Sequence, residues 1–141
     1  MEVITSHINA DFDSLSSMVA AKKLYPNAVL AFPGSQEKTL RDFLIHSTLY
    51  LFDIEKATKI NYENIDTLVL VDTRQKSRIG EFAKVASNGK TKIHIYDHHP
   101  ASGDDVKGDI EVVKTIGATV SILVDMIYPE STSGIRLRPI I

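Results

Sequence analysis

Apolar residues in this chain come in short unbroken runs that alternate with longer stretches at helical spacing, and most runs end on a polar or charged side chain. Residues 2–6 read as a buried strand. Behind it, Leu15, Met18, Val19, Ala21 and Leu24 recur as one face of a helix, with Asp13 or Ser14 as its cap and Pro26-Asn27 as its stop. Ala28–Phe32 reads as a second short strand, closed by Pro33-Gly34. From Ser35 a helix is predicted to about His46, with Leu40, Phe43 and Leu44 on one face and capping-box chemistry over Ser35 to Lys38. Leu49–Phe52 and Ala57–Ile60 are weak strand candidates. Thr67–Val71 is the strongest strand signal: apolar without interruption, as in a parallel strand buried on both faces, and ending at Asp72. Ile79–Ala86 then reads as a helix, Asn88-Gly89 as a turn, and Lys92–Tyr96 as a strand ending at Asp97. A polar loop over residues 101–109, a short strand Ile110–Val113 and a helix Ala118–Tyr128 follow. Strands alternating with helices predict an α/β fold: a three-layer domain with a mostly parallel sheet of about five strands.

Composition narrows the chemistry. The length of 141 residues suits one domain with a real core, and 43% hydrophobic with 24% charged residues is ordinary for a globular protein. A net charge of −2 offers no broad basic field for nucleic acid, so a polyanionic ligand would need a local site. With no cysteine, disulfides, thiolate-bound zinc, iron–sulfur clusters and Cys nucleophiles are excluded, and metal ligands must be His and carboxylate. No apolar run approaches the ~18 residues needed to span a membrane, and the N-terminus lacks signal-peptide features, so a cytoplasmic protein is expected.

Three polar clusters sit where predicted strands end. The first turn carries His7, Asn9, Asp11 and Asp13; the second cluster is Val71-Asp72-Thr73-Arg74; the third is Tyr96-Asp97-His98-His99-Pro100. In open α/β sheets, ligands bind beyond the carboxyl ends of the strands. His7 and Asp11 can converge on one cation and Asp13 can face a second, with Asp72 as the bridging carboxylate. Two cations about 3.5–4 Å apart can stabilise both oxygens of a phosphoryl displacement. One of His98 and His99 then ligates metal, while the other meets a phosphate oxygen or transfers a proton. Bland readings stand beside this one: Asp11 or Asp13 as helix cap, Asp72 as a loop acid, His98-His99 as a surface pair.

Asp97-His98-His99 is the name-giving tripeptide of the DHH phosphoesterases. The chain also resembles that family at His7-x-Asn9-x-Asp11-x-Asp13, at Val71-Asp72 and at Gly117-Ala118-Thr119. It looks closest to the branch in which this module opens a longer protein that continues through CBS domains into a tRNA nucleotidyltransferase (poly(A) polymerase-like) region. The resemblance implies His7, Asp11 and Asp72 on one metal and Asp13, Asp72 and His98 on the other. Mn²⁺ is the implied ion, with Mg²⁺ or another divalent metal as the alternative. It further implies that Asp97 fixes the His98 ring, that His99 faces the scissile phosphate, and that Asn9 and Arg74 reach the substrate. Arg74 as a structural ion-pair partner is the rival reading.

The implied function is hydrolysis of a phosphoester or phosphoanhydride in a nucleotide, short single-stranded oligonucleotide or related phosphate compound. The alternative is a non-catalytic nucleotide- or metal-binding regulatory module of a larger nucleotidyltransferase-related protein. The family's fourth motif, a further aspartate for the second metal, has no counterpart here, and Asp125 within a helix is a poor substitute. The apolar end Ile135–Ile141 also lacks a polar stop. The expectation is therefore a DHH N-terminal domain over residues 1–141, cut before that motif and before the C-terminal substrate domain. Such a fragment would hold one metal well and the second poorly, would have little activity alone, and would self-associate through the apolar surface left uncovered. His94 and His46 read as structural, Lys76 and Arg78 as a solvated helix start, and the amides after Gly117 as a generic anion contact.

Overall fold

The unbroken aliphatic runs become the strands of one sheet, in a computed structural model that describes residues 1–46 and 53–129. The strands are β1 (Glu2–Thr5), β2 (Val29–Ala31), β3 (Ile54–Glu55), β4 (Thr67–Val71), β5 (Lys92–Asp97) and β6 (Ile110–Val113). They lie in the order β3-β2-β1-β4-β5-β6, and every neighbouring pair is parallel. The helices are α1 (Phe12–Leu24), α2 (Lys38–His46), α3 (Phe82–Ala86) and α4 (Thr119–Ile127).

Side chains alternate across a strand, so each central strand feeds both faces. Val69 and Val71 of β4 join Ile4, Met18, Leu40 and Leu123 on the face covered by α1, α2 and α4. Leu68 and Leu70 join Val3, Ile79, Phe82 and Val85 on the opposite face, under α3. Both layers are closed to the surface, with Met18, Leu70 and the Phe82 ring fully buried. Truncating such a ring to alanine costs about 3–5 kcal/mol. The chain winds outward from β1 to β3, returns to lay β4 beside β1, then winds outward again. The strand order therefore reverses between β1 and β4, and a crevice opens beyond their carboxyl ends.

Three expectations need correction. The strand expected at Ala57–Ile60 is a 3-10 turn over Ala57–Lys59, and the neighbouring Ile54 and Glu55 pair with β2 instead, within a six-stranded sheet that agrees with the expected parallel sheet of about five. The predicted helix Ile79–Ala86 is broken: a 3-10 turn Lys76–Arg78 precedes Gly80, and α3 starts only at Phe82. Gly80 has φ +57°, and a Cβ there would lie 2.9 Å from the Pro33 carbonyl oxygen, so the helix cannot run through it. The side-chain capping box expected over Ser35 to Lys38 does not form among the described residues; α2 starts with the Glu37 carbonyl accepting from the Arg41 N–H (2.8 Å). Residues 35–37 lie along Ala10 instead, whose N–H donates to the Ser35 carbonyl (3.2 Å) and whose carbonyl accepts from Glu37 (2.8 Å). The candidate strand Leu49–Phe52 and the tail beyond Pro129 lie outside the described residues.

Candidate metal centre

The turn after β1 is fixed from both sides before any ligand arrives. Ser6 Oγ donates to the Val71 carbonyl (2.8 Å), joining the ends of β1 and β4. The Ile8 N–H donates to the Arg78 carbonyl (2.7 Å). Asn9, exposed, reverses the chain at φ 60°, a left-handed conformation that Asn tolerates better than most residues. Asp11 then caps α1: its Oδ1 accepts from the Ser14 N–H at 2.9 Å, and Ser14 Oγ accepts from the Asp11 N–H at 3.3 Å. The cap reading of Asp11 is therefore correct, and it coexists with a place in the site.

His7, only 4% exposed, points Nε2 at Ser14 Oγ (2.9 Å) and Asp72 Oδ2 (3.3 Å). Ser14 Oγ also lies 3.0 Å from Asp11 Oδ1 and 3.2 Å from Asp72 Oδ2. One hydroxyl has one proton, so it can satisfy only one of these three lone-pair atoms. His7, Asp11 and Asp72 offer ligand atoms within 4.8 Å of one another, and Asp72, His98 and His99 form a second such group. Asp72 belongs to both. A nitrogen and several carboxylate oxygens converging with too few protons is the donor set a hard or borderline divalent cation fits. When Nδ1 carries the His7 proton and donates to the Ile8 carbonyl (2.9 Å), Nε2 presents its lone pair to the centre.

Asp72 ends β4 with φ 62°, and its N–H is held by the Tyr96 carbonyl (2.9 Å). A left-handed residue at a strand end is strained for most side chains, and such strain concentrates at functional sites. The bend turns the carboxylate back over the sheet. There Oδ1 accepts from Thr119 Oγ1 (3.2 Å) and faces His98 Nε2 (3.2 Å). Asp13 lies in the first turn of α1, with Oδ2 3.6 Å from His98 Nε2. Its two oxygens accept from the Thr119 (3.2 Å) and Val120 (3.3 Å) N–H groups, so it tethers the start of α4. Those amides are thus occupied by a carboxylate rather than open to a phosphate.

His98 and His99 part company. His98 Nδ1 meets the Ile116 carbonyl (2.9 Å), which aims Nε2 at Asp72 and Asp13. Asp97, fully buried, takes the His99 ring instead, with Nδ1 to Oδ1 at 2.6 Å; Oδ1 also accepts the backbone N–H groups of His98 (2.9 Å) and His99 (3.4 Å) and makes no contact with the His98 ring. The expectation that Asp97 orients the His98 ring is corrected: a backbone carbonyl eighteen residues on does that work. Arg74 Nε lies 3.6 Å from Asp97 and 3.2 Å from Asp105, and Nη2 donates to the His99 carbonyl (3.1 Å). Its ion-pair reading is the one this geometry favours.

Electrostatics follow from crowding. Burial works against charge on His7, yet the Asp72 carboxylate beside it leaves its pKa above the ordinary histidine value. Burial and the adjacent Asp72 charge raise Asp13, whereas Asp72, despite its own burial, is held below the usual carboxylate range by His7 and Asp13. Without a cation, Asp72 is the ionised partner and Asp13 the readier proton carrier. Away from the centre, His94 meets the Tyr25 hydroxyl at Nδ1 (2.6 Å), and burial lowers its pKa. Asp125 is exposed on α4 and belongs to neither ligand group.

The sequence reading gives Ser14 no role beyond a helix cap, Ile116 none at all, and Thr119 only a place in the Gly117-Ala118-Thr119 turn, whereas the structure puts the Thr119 hydroxyl on Asp72 (3.2 Å). Asp11-x-x-Ser14 is capping-box spacing, and that signal could have found Ser14. Nothing in the sequence marks the carbonyl of Ile116.

Comparison with known proteins finds similarity in both sequence and fold. The chain is 46% identical over 123 residues to an A-adding tRNA nucleotidyltransferase of Geobacter sulfurreducens, an alignment that takes in 87% of this chain but only 14% of the relative. Its fold is similar to the crystal structure of an exopolyphosphatase-related protein from Bacteroides fragilis. The TM-score is 0.71 at 19% identity, over 91% of this chain and 39% of the other. The DHH family, N-terminal domain, matches residues 2–139, and the chain belongs to that family.

Proposed function

We propose that this domain is the metal-binding half of a phosphoester or phosphoanhydride hydrolase acting on a nucleotide, short oligonucleotide or related phosphate compound. The observation that carries the reading is the sharing of Asp72 between His7 and Asp11 on one side and His98 and His99 on the other, with Asp13 3.6 Å from His98 Nε2. His7, Asp11 and Asp72 would hold one cation, and Asp13, Asp72 and His98 the other, with Mn²⁺ or Mg²⁺ as the ions that suit such donors. Bound there, the pair would supply an acidified water and charge stabilisation at the phosphoryl group. The chain's own residues do the rest. Nδ1–H of His7 and Nδ1 of His98 are held by carbonyls, which keeps both Nε2 atoms pointed inward. His99, backed by the buried Asp97, presents a half-exposed ring able to donate a proton to a phosphate or leaving oxygen. Asn9, exposed on the turn, stands at the rim as a further substrate contact.

Further residues of a longer polypeptide would complete the second metal site and the substrate cleft, and the protein would work in the cytoplasm. No helix among the described residues is long and apolar enough to cross a membrane. The likeness to a nucleotidyltransferase of which this chain spans 14% favours one alternative, a non-catalytic module that senses metal or nucleotide. The deciding assay is Mn²⁺-dependent hydrolysis of short oligonucleotides and nucleotides by the full-length protein, beside His98→Ala and Asp13→Ala variants. Turnover lost in both supports the hydrolase. Thermal stabilisation by nucleotide without product, equal in all three proteins, supports the sensor.

A further inference from the structure

An apolar recess of about 350 Å³ runs between α1 and α4, with Phe43 of α2 at its side. Phe12, Leu15, Val120 and Val124 are among its lining residues. The recess begins at the metal centre. Phe12 stands between Asp11 and Asp13 in the chain, and Val120 is the residue whose N–H donates to Asp13 Oδ1 (3.3 Å). There Phe12 and Phe43 meet edge to face, with ring centroids 5.5 Å apart and planes at 69°. Phe12 is 43% exposed and Phe43 42%, so the pair leaves apolar area that a ligand can cover. The volume is that of a small-molecule site, and the polar side chains among the described lining residues are Ser16, Lys23 and Tyr128. No carboxylate lines it among those residues, so all the acidic ligands stay with the centre next door.

We infer that this recess receives the base of a nucleotide whose phosphate lies at the metal centre, with the Phe12 and Phe43 rings as the stacking surface. Every base has a π-face that stacks on an aromatic ring, so the rings set the fit without selecting one base. The division of chemistry matches the two ends of such a ligand. Charged and imidazole groups crowd the centre, and the adjoining recess is apolar with a few polar groups to meet the edge of the base. The inference rests on the hydrolase reading and narrows it. Substrates that carry a base are favoured over inorganic polyphosphate and simple phosphate esters, which would leave the recess empty.

The test is equilibrium binding of two probes to the Mg²⁺-loaded full-length protein. One is adenosine 5′-phosphonate, whose C–P bond resists hydrolysis; the other is ribose 5-phosphonate, which lacks only the base. The adenosine compound should bind more tightly, and Phe43→Ala should weaken it about fivefold or more, as expected for lost base–aromatic stacking. Ribose 5-phosphonate should change less than about twofold, and Phe43→Tyr, which keeps the ring, should keep the preference. Ser16→Phe fills the recess instead of opening it and should also remove the preference, so the result does not hang on one variant folding. No preference for the adenosine compound in the unmodified protein would overturn the inference. So would a preference untouched by Phe43→Ala and Ser16→Phe, the result expected if other residues of a longer polypeptide cover the recess. Mg²⁺ uptake and ribose 5-phosphonate binding keep the two ideas apart. Both intact without a base preference sinks only the recess, whereas loss of both sinks the metal centre as well.

Discussion

The two halves of the centre share Asp72 but are built differently. The His7 half comes from one continuous strand, turn and helix start, with His7 and Ser14 buried and Asp11 already fixed as a helix cap. The His98 half is assembled from separate parts of the chain. Asp13 is tethered to α4, His98 is aimed by Ile116, and the His98 and His99 side chains are 19% and 42% exposed. Preorganisation lowers the cost of binding, because the ligands need not be ordered when the cation arrives. The His7 half should therefore bind metal first and more tightly. Under the proposed hydrolase reading, the open half, with the His99 side chain 42% exposed, is where a phosphate would enter.

The largest effect should come from the scaffold of the open half. Asp97→Ala removes a fully buried carboxylate, releases the His99 ring and leaves Arg74 with Asp105 as its one remaining carboxylate; losing a buried, hydrogen-bonded charge of this kind costs about 3 kcal/mol. Chemical denaturation should show that loss, and Mn²⁺ affinity at the His7 half should change far less. Asp11→Asn works the other way. Asn caps nearly as well as Asp, so stability should hold within a few tenths of a kcal/mol. Mn²⁺ affinity should nevertheless fall by more than the roughly 10–100-fold typical of losing an outer-shell partner. Unchanged affinity in that calorimetric titration would remove Asp11 from the centre and leave it only as a cap.

Ser14→Ala sits between these cases, since Ser14 closes the capping box and touches His7, Asp11 and Asp72. Stability should drop by about 1 kcal/mol and Mn²⁺ affinity by roughly tenfold. The smallest effect is in pH. Because the folded pKa of His7 is raised, protonated His7 beside Asp72 stabilises the metal-free protein below the unfolded histidine value, and that stability fades as pH rises through the folded value. Metal binding needs the neutral ring, so the sign reverses on loading. Thermal melts across this range should therefore show an Mn²⁺-induced increment that grows with pH. An increment flat in pH would mean that His7 is not a ligand.

Much of this was legible in the sequence, for a physical reason. A parallel strand buried on both faces leaves an uninterrupted aliphatic run, and the first polar residue after it must lie at the carboxyl edge of the sheet, as Asp72 does after Thr67–Val71. His7, Asp97 and His98 follow the same logic. The parts that escaped depend on tertiary contacts. Gly80 interrupts the helical pattern with φ +57°, and the Pro33 carbonyl, distant in sequence, leaves no room for a Cβ there. Ile116 acts through a backbone carbonyl that any residue would possess. Arg74 and Arg78 carry the same side chain in the same stretch, and only the positions of Asp97, Asp105 and His7 tell the one paired with carboxylates from the one set against the His7 ring.

The most direct test of the central claim, that Asp72 joins two ligand groups into one centre, is calorimetric titration of Mn²⁺ into the metal-free protein and into Asp72→Ala. The account predicts binding in the unmodified protein that disappears from both halves in the variant. A variant that still binds Mn²⁺ with unaltered affinity and stoichiometry would contradict it.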